Sequence, residues 1–244
     1  MDAQTTHSVA ERPTSEPGRG DRRRGKFITF EGGEGAGKST QAAKLALRLE
    51  SLGTAVLLTR EPGGSPGAEI IRHVLLSGAA KPLGPEAEAM LFAAAREDHV
   101  KCAIEPALQS GKWVVCDRFA DSTRVYQGTL GQVDQRLIKG LERVSIGDLL
   151  PDLTLILDLP VEAGLQRQAQ RRGDAEPDRF EAENVEFHEK LRQAYLALAA
   201  LEPRRCVVVD ASGSKEDIAR QVWAVVNSHF DPATAPLTAE NSVS

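Results

Sequence analysis

Residues Gly32-Gly33-Glu34-Gly35-Ala36-Gly37-Lys38-Ser39 match the pattern G-x-x-x-x-G-K-[ST] at every fixed position. No other segment restricts the fold as much, because the pattern works in one setting: a β-strand running into the first glycine and a helix following the lysine. Both flanks comply. The segment 26–31 (KFITFE) is a short apolar strand, and 39–52 has the spacing of an amphipathic helix. The glycines let the backbone turn its N–H groups inward around phosphates with no Cβ in the way. Lys38 sets a positive charge against the β- and γ-phosphates. Ser39 offers a hydroxyl to Mg²⁺, and Thr40 follows it into the helix, whose positive dipole end faces the same site. Gly32 to Thr40 are therefore read as the ATP-binding segment, with Ser39 a metal ligand. A glycine-rich turn that binds nothing is the alternative, and the complete pattern in its complete setting leaves it little room.

The rest of the chain repeats the alternation. Further strands are predicted over 54–59, 113–116, 153–157 and 206–209, all short, β-branched and apolar on both faces, as in a buried parallel sheet. Helical segments are predicted over 68–76, 85–109, 132–146, 161–171, 182–201 and 216–229, with Gly53 and Gly111 at C-terminal cap positions. The expectation is an α/β fold of three layers around a five-stranded parallel sheet, formed by one domain over 26–230. Residues 1–25 have almost nothing apolar and are expected to be disordered, as is the tail over 231–244. Arg22-Arg23-Arg24 is read as a solvated lead-in rather than a nucleic-acid arm.

Charge and cysteine content narrow the setting. The chain of 244 residues carries a formal charge of −5 and no sustained basic face, which argues against a dedicated nucleic-acid binder. Cys102, Cys116 and Cys206 are odd in number and embedded in apolar runs, so neither a disulfide framework nor a metal site is expected. No stretch has the length of a membrane span and the N-terminus lacks a secretory core, so a cytoplasmic protein without membrane partners is expected.

A phosphate loop alone leaves several classes open. A GTPase should add an Asn-Lys-x-Asp base-reading motif, which is lacking, and the chain is short for a motor. What it has is arginine beside the other strand ends: Thr59-Arg60-Glu61-Pro62-Gly63-Gly64 after the second strand and Asp117-Arg118-Phe119 after the third. Strand carboxyl ends are where open α/β sheets bind ligands. A kinase whose acceptor is itself a phosphate needs cations there, because two polyanions must be brought together for in-line transfer.

Taken in order, FEGGEGAGKST, TREPGG, LFAAARE, DRF followed by ADSTRVYQG, and PDLTLILDL resemble the bacterial thymidylate kinase family, over residues 27 to 210. The resemblance implies a P-loop nucleoside monophosphate kinase fold, transfer of the γ-phosphoryl group of ATP to dTMP with Mg²⁺, and a homodimer packed through helices. It also implies roles. Arg118 resembles the arginine that grips the acceptor's 5′-phosphate, and Arg72 a second contact to it. Phe92 resembles the aromatic that stacks on thymine and Arg96 the arginine that bonds a base carbonyl. Thr123 and Tyr126 match residues around base and sugar. Glu34 stands where a carboxylate approaches the sugar 3′-hydroxyl, and Asp117 where one organises Mg²⁺ through water. On pattern alone Phe92 reads as core, Arg96 with Glu97 and Asp98 as a solvated helix face, and Arg60 and Glu61 as an ion pair holding their loop.

The stretch 167–181 (RQAQRRGDAEPDRFE) reads as a lid. Arg167 and Arg171 share one helix face, and Gly173, Asp174 and Pro177 break the helix. Members of the family whose phosphate loop lacks arginine look to the lid for one, so Arg171, Arg172 and Arg179 are the catalytic candidates beside Lys38 and Arg118. Phe180 stands where the family carries a lid tyrosine. Two alternatives remain open from the residues alone: a kinase for another monophosphate (dUMP, CMP or GMP), and a non-catalytic nucleotide-binding regulator. Lys38→Ala is expected to lose nearly all turnover while keeping the wild-type circular-dichroism spectrum; wild-type kcat in that variant would refute the phosphate-loop assignment.

Overall fold

The computed structural model describes residues 24–173 and 179–231. The expectations for the N-terminal extension before Arg24, for Asp174 and Pro177 in the lid, and for the tail beyond Asp231 lie outside the described residues.

Five strands, β1 (Phe27–Gly32), β2 (Val56–Arg60), β3 (Trp113–Asp117), β4 (Leu153–Asp158) and β5 (Cys206–Asp210), form one parallel sheet in the order β2-β3-β1-β4-β5. The helices are α1 (Lys38–Ser51), α2 (Pro66–Leu76), α3 (Pro85–His99), α4 (Glu105–Gln109), α5 (Ala120–Thr123), α6 (Gln135–Ile146), α7 (Val161–Arg172), α8 (Val185–Leu201) and α9 (Lys215–Phe230). Every residue of the central strand β1 is buried, whereas the edge strands β2 and β5 expose Leu58 and Val208.

The period of two along the strands sorts residues between layers. Ile28, Phe30, Leu153, Leu155 and Leu157 join Ala42, Leu45 and Leu49 of α1 and Ile218, Val222 and Val226 of α9. On the opposite face Phe27, Val114 and Cys116 meet Ile104 and Leu108, while Ile156 meets Leu191, Tyr195 and Leu198 of α8. That second face also carries a polar seam: the Thr29 and Thr154 hydroxyls lie 2.8 Å apart, both buried.

The departures from the predicted elements have local causes. The helix expected over 85–109 widens to a π-helical turn at Val100–Ile104 before α4. Pro106 has no N–H for the carbonyl of Cys102, so the regular ladder cannot run through it. The stretch after Arg118, left without an element in the sequence, is helical: α5 continues as a π-helical segment, Arg124–Leu130, with Val125 packed against α8. The next helix begins at Gln135, not at 132, because Asp134 caps it by accepting from the Arg136 N–H. Asn184 likewise starts α8 at Val185, not at 182.

Ser214 and Asp217 form a reciprocal capping box at the start of α9. Ser214→Ala is expected to cost about 1 kcal/mol, and Leu155→Ala in the sheet core about 2–5 kcal/mol. Urea denaturation measures both; equal losses would contradict the core position of Leu155.

Candidate active site

β1 delivers the phosphate loop and β3 delivers Asp117 and Arg118, and the two strands are neighbours in the register Phe30↔Asp117. Gly37, at φ 93°, turns the chain into α1. Gly35, at φ 70°, lies so close to α7 that a Cβ would stand 2.0 Å from the Gly164 carbonyl oxygen. Lys38 Nζ donates to the carbonyls of Gly32 (3.1 Å) and Gly33 (2.7 Å). Ser39 Oγ donates to Asp117 Oδ2, so the two residues expected at the metal are in contact. Two hard oxygen donors, one closing the phosphate loop and one at the end of β3 beside it, suit Mg²⁺, which takes few protein ligands and completes its shell with water and phosphate. The Ala36 side chain packs into the core.

Arg118 has φ 70°, in the left-handed region that a side chain rarely adopts. Its guanidinium lies 5.3 Å from the centroid of the Tyr126 ring, and its Nη2 is paired with Glu34 of the phosphate loop. Tyr126 completes a triangle by donating to Glu34 Oε1 at 3.1 Å. One cleft is lined by Lys38, Ser39, Thr40, Asp117, Arg118, Glu34, Arg72, Phe92, Thr123, Tyr126 and Arg171. The structure thus brings together most of the residues singled out in the sequence.

Others sit differently. Arg96 is not a solvated helix face: it is buried, with Nε on Glu61 Oε2 (2.8 Å) and Nη2 on Thr123 Oγ1 (3.0 Å) and the Phe119 carbonyl (3.2 Å). Its side chain stands behind Thr123 and is not among those lining the cleft. Arg60 and Glu61 do not pair with each other. Arg60 reaches Glu69 at 3.0 Å, while Glu61 takes Arg96 and His99, the latter at 3.1 Å. Arg72 donates to the carbonyl of Pro62 (2.6 Å), which follows a cis peptide. Phe92 is partly buried at the cleft wall, 6.1 Å from the Phe180 ring.

In the lid region Arg171 and Arg172 both lie 3.6 Å from Glu181. Arg179 is turned to α3, where Glu88 holds it at 2.8 Å with Glu183 at 3.2 Å. Phe180 packs edge-on against Tyr126 at 5.3 Å and faces the cleft. Sequence reasoning did not single out Glu31 or Tyr195. Both are buried beside Arg118, and a tyrosine in the apolar stretch of α8, one of two in the chain, was the available signal.

The family model for thymidylate kinase matches residues 30–222. The thymidylate kinase of Bradyrhizobium diazoefficiens is 62% identical over 212 residues, spanning 87% of this chain and 93% of the relative. That of Nitrobacter winogradskyi is 60% identical over 222 residues, spanning 91% and 96%. A crystal structure of thymidylate kinase from Ehrlichia chaffeensis is similar with a TM-score of 0.66 at 32% identity, covering 84% of this chain and 99% of that one.

Burial alone would raise the Glu34 carboxyl, but Arg118, Lys38 and the Tyr126 hydrogen bond outweigh it and bring the group down to about 2 from 4.5. A carboxylate depressed in the folded state stabilises above its unfolded value and loses that contribution as pH falls through the folded one. Glu34 is therefore expected to supply up to about 3 kcal/mol above pH 4.5, lost as pH falls toward about 2. Denaturation of wild type and Glu34→Gln across that window checks this; a stability difference independent of pH would refute it.

Proposed function

The chain belongs to the thymidylate kinase family and phosphorylates dTMP to dTDP, and from that premise we propose how the residues of the cleft divide the reaction. The observation that carries the proposal is the contact between Arg118 and Glu34, which puts an acceptor-binding cation against the donor-binding loop. The kinases for other monophosphates and the non-catalytic regulator find no support among the relatives.

ATP serves as phosphoryl donor, its phosphates cradled by Gly32 to Thr40 with Lys38 as the point charge. Ser39 and Asp117 would hold Mg²⁺, which supplies charge neutralisation between donor phosphates when bound. Arg118 exchanges Glu34 for the 5′-phosphate of dTMP, and Arg72 is the second cation on that side. Phe92 and Thr123 receive the base. Arg96 keeps Thr123 in place through its 3.0 Å hydrogen bond, beside any contact of its own with the base. Tyr126 closes the sugar side and Glu34, released from Arg118, faces the 3′-hydroxyl. The acceptor phosphate is already anionic at neutral pH, so alignment and charge neutralisation replace general-base catalysis.

Among the lid arginines we assign Arg171 to the transferring group, because it lines the cleft. Arg172 shares Glu181 with it, and Arg179 anchors the lid's return to α3. The reading includes a cytoplasmic enzyme, supported by three cysteines free of disulfides. Among the described residues no helix is long and apolar enough to cross a membrane. It also includes a homodimer, supported by exposed Ile70, Met90 and Val144 on α2, α3 and α6, of which α3 packs against both others.

ADP release with ATP and Mg²⁺ tests the acceptor site when dTMP, dUMP, CMP, AMP and GMP are offered separately. Turnover with dTMP, accompanied at most by weak dUMP activity, is expected; preference for another monophosphate would overturn the base-reading assignments. Arg118→Ala is expected to raise the KM for dTMP and lower kcat, each by about tenfold or more, and unchanged acceptor kinetics would sink its role.

A further inference from the structure

Glu31 is the last residue of β1 before the first glycine of the phosphate loop, and it is fully buried. Its two oxygens collect three donors. Oε1 accepts from the Phe119 N–H at 2.8 Å, and Oε2 accepts from Ser122 Oγ at 2.7 Å and Tyr195 OH at 2.9 Å. The same two hydroxyl oxygens each lie 3.3 Å from Arg118 Nη1, which also has the Gly32 carbonyl at 3.4 Å. A hydroxyl has one proton. With both protons directed at Glu31, Ser122 and Tyr195 have only lone pairs to show the guanidinium. Glu31 also pins the N–H of the residue that follows the left-handed turn at Arg118. One carboxylate thereby orients both the backbone of the arginine and the groups that hold its side chain.

The geometry points to Glu31 as a positioning residue for Arg118, its ionised carboxylate setting the hydrogen-bond polarity that presents the guanidinium to the acceptor phosphate. The inference rests on the reading of Arg118 as the acceptor-phosphate arginine. When Glu31 carries a proton it must itself donate. The two hydroxyl oxygens lie 3.0 Å apart, so the one that accepts this proton turns its own O–H to the other, and lone pairs that faced Arg118 are taken up. Burial, and after it the negative charge of Asp121, push the Glu31 carboxyl up to about 7, against Arg118 and the Ser122 and Phe119 hydrogen bonds. The charges acting on it are Asp121 of α5 and Arg118, just after β3, and it in turn acts on Lys38 of α1, Cys116 of β3, Tyr195 of α8 and Cys206 of β5. Acceptor binding should therefore strengthen as pH rises through neutrality, above the ionisation of the substrate phosphate itself near about 6.

Steady-state constants for dTMP and ATP, measured from about pH 6 to about pH 8.5 on wild type, Glu31→Gln and Tyr195→Phe, test the inference. Glu31→Gln is expected to raise the dTMP KM about tenfold at the upper end while ATP KM stays within about twofold. It should keep the step near 6 and lose the step near 7. Tyr195→Phe, which removes one of the two relayed hydroxyls, should raise the dTMP KM by a smaller factor. A folded Glu31→Gln with the wild-type dTMP KM and pH profile overturns the inference, as do parallel losses for ATP and dTMP. If Glu31→Gln fails to fold, an unchanged dTMP KM in Tyr195→Phe overturns it alone. Absence of dTMP turnover by the wild type at any pH would instead remove the acceptor reading on which the inference stands.

Discussion

The Arg118–Glu34 pair exists because β1 and β3 are adjacent and run the same way, so that both end at one edge of the sheet. The phosphate loop and the arginine after β3 cannot be separated without breaking the central pairing of the fold. The pair is partly shielded from water, where a lone charge costs more than at the surface. Arg118 can therefore leave Glu34 readily only when another anion takes its place. Tyr126 sits against both partners, with a hydrogen bond to the carboxylate and its ring beside the guanidinium. The contacts the cleft makes for itself thus favour an anion beside Arg118.

Beneath the cleft several buried carboxylates are matched by cations. Glu61 is buried between Arg96 and His99, and His99 passes on to Thr59 at 2.7 Å. On the far side Asp121 is held by Arg205 at 2.6 Å, and Arg124 gathers Asp121, Glu142 and Glu202. Both assemblies fix α5 and the π-helical segment after it, one through Arg96 and Thr123, the other through Asp121 and Arg124. Removing one partner of a buried pair commonly costs about 3–5 kcal/mol, so the wall of the cleft formed by α5 is among the more firmly specified parts of the molecule.

The sheet, its layers and the phosphate loop were legible because each depends on local pattern: period two in the strands, glycine placement, a helix after the lysine. The partners of charged residues were less legible, since they depend on distant segments. Arg60 and Glu61 look like a pair on paper, but neighbours at the end of a strand point to opposite sides. One is therefore exposed and meets Glu69, while the other is buried and meets Arg96, 35 positions away. Arg179 reads as one more lid arginine until Glu88, 91 positions earlier, comes alongside it. The segment after Arg118 has Gly128 and Gly131 and no helical signature; its helix is imposed by packing on α8, a tertiary effect that composition does not carry.

The contact between Gly35 and Gly164 has a mechanical consequence. With a virtual Cβ on Gly35 only 2.0 Å from the Gly164 carbonyl oxygen, and one on Gly164 2.5 Å from the carbonyl of Glu34, backbone rests on backbone with no side chain between. This is a bearing without padding. The start of α7 cannot press closer to the phosphate loop, and a residue larger than glycine on either side would push the two apart. On the proposed role of Arg171, a movement that carried it over the nucleotide would be taken up farther along α7, with Gly164 as fulcrum and the last two turns of the helix as the arm. A short arm moves its tip through a small arc, enough to place one guanidinium but not to wrap a whole substrate.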